Sequence, residues 1–225
     1  MATNTRRRKG AATLAAVRPL AVILAAVALA TAACSSGSDS SVEPQPAPRQ
    51  DTTPTAKPEE HFTKDQLPKL ALQPSDAPQG MRYTKQESGR MSLAQVGFIL
   101  DSQIKPLRAL KFKGIYDAIF DSTSKRSDLR LASRLWLFGS AAAAQKWLDK
   151  TESDSQQFAF QSLAPPQLGD DSWAGYGNLA AQVMTYAFRE GNVVVVTSYT
   201  TQTEELSQAA AIAAAEKAAR RLENA

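Results

Sequence analysis

The chain has 225 residues, of which 43% are hydrophobic and 21% charged, a balance typical of one soluble domain with additional segments. Its formal net charge of +4 is concentrated in the first 33 residues, which hold basic residues and no acidic ones, so the rest of the chain is close to neutral. A nucleic-acid-binding domain keeps a basic surface in its folded part, so the charge argues against nucleic acid as a partner.

Residues 1–33 have the pattern of an export signal. The basic segment TRRRKG precedes an apolar run of about 15 residues that ends in small residues. As a helix this run spans roughly 22 Å, less than the ~30 Å hydrocarbon core of a bilayer, and Arg18 prevents a longer apolar span. We therefore predict a signal peptide over residues 1–33. General secretion and twin-arginine export both stay open.

Cys34, the one cysteine in the chain, follows Ala32 and Ala33 directly. This junction resembles the lipobox of bacterial lipoproteins, although Thr31 stands where Leu is usual. The resemblance implies cleavage before Cys34, acylation of its thiol with palmitate-type chains, and a cell-membrane location on the extracytoplasmic side. The alternative is an ordinary signal peptide that leaves a free thiol, which is a liability in an oxidising compartment. A single cysteine also excludes an internal disulfide and a thiolate zinc site.

The segment over residues 34–65 is rich in Pro, Ser, Thr and acidic residues and has almost no apolar residues. Such a composition cannot offset the entropy of ordering, so we predict a disordered tether. His61, the one histidine, lies near its end. It is either a metal ligand or base, or a solvated linker residue, and the absence of a second histidine favours the latter.

Residues 66–225 are predicted to form a single α+β domain with an antiparallel sheet packed by helices. A Pro- and Gly-rich loop and a short strand come first. An apolar stripe then predicts a helix that Pro106 ends or kinks: Leu93, Val96, Leu100, Ile104 and Leu107.

Two alternating segments, GIYDAIFDS and DLRLASRLWLF, predict strands. In the second, the leucines share one face, whereas Arg130 and Arg134 lie on the other. Ser140 is expected to cap a helix through AAAAQKWLDK.

Gly191-Asn192 predicts a tight hairpin turn, and Val193–Val196, apolar on both faces, a central strand. A final helix is expected after Thr201 or Thr203, either of which could cap it.

The segment LGDDSWAGYG holds the candidate ligand contacts. Asp170 and Asp171 could bind a cation, and Trp173 and Tyr176 could stack on a sugar or lipid ring. Calcium needs six or more oxygen ligands, so a turn followed by a strand with packed aromatic residues is the favoured interpretation, and no metal site is predicted.

Eight basic residues fall between Lys105 and Arg134, with three aspartates among them. They form either a patch that faces anionic lipids or wall polymers, or an ordinary solvated face, which we favour. With no Ser-His-Asp set, phosphate-binding loop or metal-ligand spacing, we predict no catalysis and no cofactor. A hydrolase with a catalytic pair other than histidine remains an alternative.

Four segments of the domain have sequence patterns that resemble those of known domains: LQPSDAPQGM, WLFGSAAAAQKWL, LGDDSWA and FREGNVVVV. The domain resembles uncharacterised extracytoplasmic domains of actinobacterial lipoproteins and, distantly, the outer sensor domains of serine/threonine kinases. We predict a ligand-binding or sensor-like module, with a small or lipidic ligand in a cleft between the sheet and the helices. The alternative is an accessory envelope protein that docks on a partner protein.

Overall fold

A computed structural model of the protein describes residues 61–99, 101–178 and 180–225. The predicted signal peptide, Cys34 and most of the predicted tether lie outside the described residues. No helix in the described part of the chain is long and apolar enough to cross a membrane.

The described residues form eight strands and five helices. The strands are β1 (Met81–Tyr83), β2 (Gly89–Met91), β3 (Gly114–Ser122), β4 (Arg130–Leu137), β5 (Gln161–Leu163), β6 (Asp171–Asn178), β7 (Gln182–Glu190) and β8 (Val193–Thr201). The helices are α1 (Leu67–Leu70), α2 (Leu93–Ile99), α3 (Ile104–Ala109), α4 (Ala141–Gln157) and α5 (Gln208–Glu223).

The strands make one antiparallel sheet in the order β1–β3–β4–β8–β7–β6–β5, and β2 also pairs with β3. The predicted α+β class is confirmed. So is the hairpin at Gly191-Asn192, where Gly191 has φ of +54° between β7 and β8. The valines of β8 are covered on both faces, as predicted for a central strand.

The alternation of side chains gives the sheet two different faces. On the α5 face, branched and aromatic residues pack against small residues of α5, among them Ala211, Ala215 and Ala218. On the α4 face, Trp136, Trp173 and Val194 pack with α4. The small residues let α5 lie close to the sheet, whereas large aromatic residues fill the space under α4.

The single helix predicted over Leu93–Leu107 is wrong, because a 3₁₀ turn (Asp101–Gln103) separates α2 from α3. Pro106 lies in the first turn of α3 and does not end it. A continuous helix would need an N–H at position 106 to bond the carbonyl of Ser102, and proline has none. In the first turn of a new helix that bond is not required.

The predicted cap of the last helix is also wrong. The Ser207 hydroxyl accepts the Ala210 N–H, and α5 begins at Gln208. Thr201 belongs to β8, and its hydroxyl accepts the N–H groups of Thr203 and Glu204 in a turn. Because the Thr201 hydroxyl is used in that turn, the Ser207 hydroxyl caps the helix instead.

The packed part of the chain includes a residue that the sequence analysis assigned to the disordered tether. Phe62 is buried and belongs to the core of the α5 face. Its N–H donates to Asn192 Oδ1 at 2.7 Å, and its carbonyl accepts from Asn192 Nδ2 at 3.1 Å. Phe62 therefore belongs to the packed domain, although it lies four residues before the predicted domain boundary at residue 66.

Candidate functional site

The α4 face carries the three tryptophans of the chain in one cluster with Phe112 and Phe138. Trp136 and Trp147 have ring centroids 5.0 Å apart, and Phe138 lies 5.9 Å from Trp147. Trp147 comes from α4 and Trp136 from β4, so the cluster joins the helix to the centre of the sheet.

Beside this cluster, Asp117 of β3 and Arg134 of β4 form a bidentate ion pair. Arg134 Nε and Nη2 donate to the two carboxylate oxygens at 2.7 and 2.6 Å. The side chains are only 6% (Asp117) and 20% (Arg134) exposed. Burial opposes the charged guanidinium, but the Asp117 carboxylate outweighs it and holds the pKa of Arg134 above its usual value.

The guanidinium of Arg134 is held in place on a second side. Its Cζ lies 5.7 Å from the ring centroid of Trp136, a cation–π contact. Within the described residues, Nη1 has no hydrogen-bond partner, so its N–H groups remain able to donate.

Two hydroxyls continue the polar surface on the next strands. Thr185 of β7 and Ser198 of β8 are cross-strand neighbours with their oxygens 3.0 Å apart. Ser198 is half-buried and Thr185 almost fully buried. We call Asp117, Arg134, Thr185 and Ser198 the polar strip. Ala132 and Val196, which neighbour them on the same face, are also half-buried, so the other described residues do not fully cover this part of the face.

Three buried polar atoms of the α4 face have no hydrogen-bond partner: Gln103 Oε1, Trp147 Nε1 and Trp173 Nε1. Gln103 is 8% exposed and reaches Asp154 of α4 with its amide nitrogen at 3.4 Å. Buried polar groups without partners are rare and costly. Each of these three atoms is fully buried, so a bound molecule could reach it only if neighbouring side chains moved. Ser133 Oγ and Tyr199 Oη are also unpaired, but they lie within the closed core of the α5 face.

The polar strip therefore combines fixed donors and hydroxyls with an aromatic floor, and it has no net charge because Asp117 neutralises Arg134. Such a surface can hold a neutral molecule that has both polar and apolar parts. The Ser198 and Thr185 hydroxyls bond to each other, and neither has a hydrogen bond to a Lys or His in the described part of the chain. His61 lines a hollow beside Asn192 instead.

Asp170 and Asp171, predicted as ligand contacts, are held in a polar network between β6, β7 and α4. Asp170 Oδ2 accepts from Arg189 Nη1 at 2.7 Å and from the Gly191 N–H at 3.0 Å. Asp171 Oδ2 accepts from Gln145 of α4 at 2.6 Å. Among the described residues no three acidic, His or Cys side chains lie close enough together to hold a metal ion.

Trp173 and Tyr176 lie on opposite faces of β6, because their positions differ by an odd number of residues. Trp173 is buried in the cluster on the α4 face, whereas Tyr176 is half-buried against the α5 face and reaches Gln182. The structure thus brings Asp170 and Asp171 together but does not join the two aromatic rings in one stacking surface.

The eight basic residues between Lys105 and Arg134 fall into two groups. Arg130 pairs with Glu87 and Asp121, and Arg134 with Asp117. The other six are exposed and have no ion-pair partner among the described residues: Lys105, Arg108, Lys111, Lys113, Lys125 and Arg126.

The sequence prediction missed the polar strip, although one signal was present. Asp117 and Arg134 each lie in the middle of an alternating strand, where a charged residue on a largely buried face needs a partner. Their cross-strand pairing depends on the register of β3 and β4, which one sequence does not give. Ser198, Thr185 and Gln103 carry no pattern that distinguishes them from other polar residues.

No protein-family model matches the sequence, and no curated protein matches it. Among solved structures, the extracellular domain of PknH from Mycobacterium tuberculosis is similar, with a TM-score of 0.49 and 11% identity. The match covers 72% of this chain and 99% of that domain. A likeness of this degree assigns no function, which has to be inferred from the residues themselves.

Proposed function

We propose that this protein is a non-catalytic, sensor-like binding module, held on the extracytoplasmic side of the cell membrane by an acylated Cys34, and that it binds a small neutral ligand at the polar strip. The observation that carries the binding proposal is Arg134, whose guanidinium is fixed by Asp117 and Trp136 while Nη1 still lacks a partner. A fixed donor loses little entropy when it binds a ligand.

The surroundings of Arg134 support the same function, because the Ser198 hydroxyl lies on the next strand of the same face and can donate or accept. The half-buried Ala132 and Val196 leave apolar surface for the rest of a ligand. Because the strip is neutral overall, a ligand without net charge avoids the cost of burying an unpaired charge.

Catalysis is not part of the proposal, because a nucleophile needs a base beside it. The strip offers Ser198 and Thr185, and these hydroxyls bond to each other. Binding needs only that their oxygens accept and donate, which they can do without a change of protonation.

Native mass spectrometry of the intact protein, released from its membrane in mild detergent, tests the binding proposal. We expect a bound mass beyond that of the acyl chains. Ser198→Ala should reduce its occupancy, because Ser198 lies in the strip. Ser133→Ala is the matched control, since Ser133 lies on the adjacent strand, on the opposite face and without a partner.

Arg134 itself is a poor choice for this test. Its loss would leave the Asp117 carboxylate buried and unpaired, which destabilises a protein by about 3–5 kcal/mol. An unliganded wild-type protein that co-purifies with another protein would favour the alternative, an accessory protein docked on an envelope partner.

The anchor has its own test. Cys34→Ala should abolish incorporation of labelled palmitate and release the protein from the membrane fraction, since acyl chains hold it there. If Cys34→Ala kept both the label and its place in the membrane fraction, the anchor would be contradicted. The binding proposal would not be affected by that result.

A further inference from the structure

One end of the sheet, where β3 begins and β4 ends, carries a group of exposed cations. Lys105, Arg108, Lys111 and Lys113 lie on α3 and on the link from α3 to β3, and no acidic residue occurs between residues 102 and 116. None of the four has an ion-pair partner among the described residues. We call these four residues together with Lys64 the cationic end.

No ion pair among the described side chains cancels the charge of this end. Lys64 lies beside Gly114, with its Cγ 3.5 Å from where a Cβ would stand. The nearest acidic neighbour of Lys64 in sequence, Asp65, pairs with Arg90 at 3.1 Å. Arg189 and Asp170, at the adjoining hairpin, neutralise each other at 2.7 Å. The five cations are therefore grouped without an ion-pair partner in the part of the chain that the structure describes.

An open hollow of about 380 Å³ lies beside two of these cations, Lys64 and Lys113. Phe62, Leu137 and Phe138 also line it, but these three side chains are almost fully buried. Lys113 Cε and Lys111 Cβ both approach Gly139, which also lines the hollow. Lysine side chains grouped in this way suit a membrane interface, where the stems lie along apolar groups and the ammonium reaches the phosphates.

The first described residues of the chain lie at this same end. His61, Phe62, Thr63 and Lys64 all line the hollow, and the Asn192 side chain fixes Phe62 there. A domain attached to a membrane through its N-terminal segment therefore has the cationic end as the surface nearest to the attachment.

We propose that the cationic end docks on the anionic phosphate headgroups of the membrane and so orients the domain, with the opposite end of the sheet directed away from the bilayer. Clustered Lys and Arg side chains bind anionic bilayers in this way, and the attraction falls within a Debye length. The membrane is favoured over a wall polymer because attachment through the N-terminal segment would hold this end near the lipid headgroups. The docking goes beyond the proposed ligand binding and takes from it only the nearness to the membrane.

Hydrogen exchange of the intact chain in nanodiscs tests this docking. We expect peptides over residues 61–66 and 104–114 to exchange at least about threefold more slowly in phosphatidylcholine with 30% phosphatidylglycerol than in phosphatidylcholine alone. This protection should disappear in 1 M salt, where the Debye length is about 3 Å.

Two triple variants separate the position of the charges from their number. Arg108→Gln/Lys111→Gln/Lys113→Gln should lose the protection. Lys85→Gln/Lys125→Gln/Arg126→Gln should keep it, because these exposed cations lie away from the cationic end. Lys125 and Arg126 lie in the β3–β4 turn at the opposite end of the sheet, and Lys85 lies in the link between β1 and β2, beside the middle of β3. The two variants remove the same charge from the same residue types, and a thermal melt checks that both are folded.

Equal protection in both lipids, equal loss in both variants, or protection by soluble polyglycerol phosphate without lipid would each overturn the proposal. The last outcome would assign the surface to a wall polymer. The intact mass of the same preparation reports acylation separately. A chain without acyl groups is tested by co-sedimentation with vesicles of the same two compositions, so failure of the anchor and failure of the docking are distinguishable.

Discussion

Asn192 shows how a single side chain can join distant parts of the chain. Its amide nitrogen donates to the carbonyls of Phe62 and Phe138 at 3.1 and 3.0 Å, and its oxygen accepts the Phe62 N–H at 2.7 Å. The Asn192 side chain thus pairs with both backbone groups of Phe62, as a neighbouring β-strand would. The sequence predicted Asn192 as a turn residue, but the role of its side chain depends on a contact 130 positions away.

Asn192→Ala should lower the free energy of unfolding by about 2–4 kcal/mol, because it leaves three buried backbone groups without partners. Urea unfolding measures this change. Asn178→Ala, at an exposed position, should change the free energy by less than about 0.5 kcal/mol. A similar effect of both substitutions would contradict the role assigned to Asn192.

Asp128 joins the β3–β4 turn to the segment before α5. Burial raises the pKa of Asp128, but hydrogen bonds from the Thr201 and Thr203 hydroxyls and the Gln202 N–H outweigh burial, so the pKa of its carboxyl lies below the usual range. A carboxyl with a lowered folded-state pKa stabilises the protein above its unfolded pKa of about 3.9 and loses this contribution as the pH falls through the folded value.

We therefore expect the unfolding free energy of the wild type to fall as the pH decreases below about 4, and Asp128→Asn to show a shallower fall in that range. Denaturant titrations at several pH values measure the slopes. Asp76, whose pKa is also lowered through Arg221 and Gln73 despite burial, accounts for part of the remaining slope. An unchanged slope in Asp128→Asn would show that its hydrogen bonds do not favour the ionised form.

At the scale of elements, tight turns bring the strands of the α4 face into register. Gly169 has φ of +57°, and a Cβ there would lie 2.2 Å from the Arg189 carbonyl oxygen. This close approach lets the Asp170 N–H bond the same carbonyl at 2.7 Å and its side chain reach Gly191. The loop before β6 is therefore fixed to the β7–β8 turn.

Gly169→Ala should destabilise the protein more than Gly80→Ala does. Both glycines have positive φ, but a Cβ at Gly80 meets nothing within 4 Å. The conformational cost alone is about 1–2 kcal/mol, and the clash at Gly169 should add on the order of 2 kcal/mol. Equal changes in the melting temperature of the two variants would show that the loop moves freely away from Arg189.

The strands and hairpins were largely predictable, because alternation and turn residues are local signals. β4 and β8 follow this pattern in full: Leu131 and Leu135 face α5, and Val193 to Val196 are covered on both faces. The break between α2 and α3 and the Ser207 cap were not predicted. Each depends on which of several possible local hydrogen bonds forms, and the sequence pattern does not decide this. The pairing of Asp117 with Arg134 depends on strand order, which no local pattern contains.

At the scale of the whole molecule, the two faces and two ends of the sheet differ in chemistry. The α5 face is closed by small residues, and the α4 face combines an aromatic cluster with the polar strip. The first described residues, His61 to Lys64, lie at the cationic end. The two proposals therefore use separate surfaces, and we expect substitutions in the polar strip to leave membrane docking unchanged.

A crystal structure of the protein purified from its own membrane tests the central claim most directly. We predict non-protein density at the polar strip, within hydrogen-bond distance of Arg134 Nη1 and of Ser198 Oγ. A strip that holds only water, with a bound molecule at another place or with none, would contradict the proposed function.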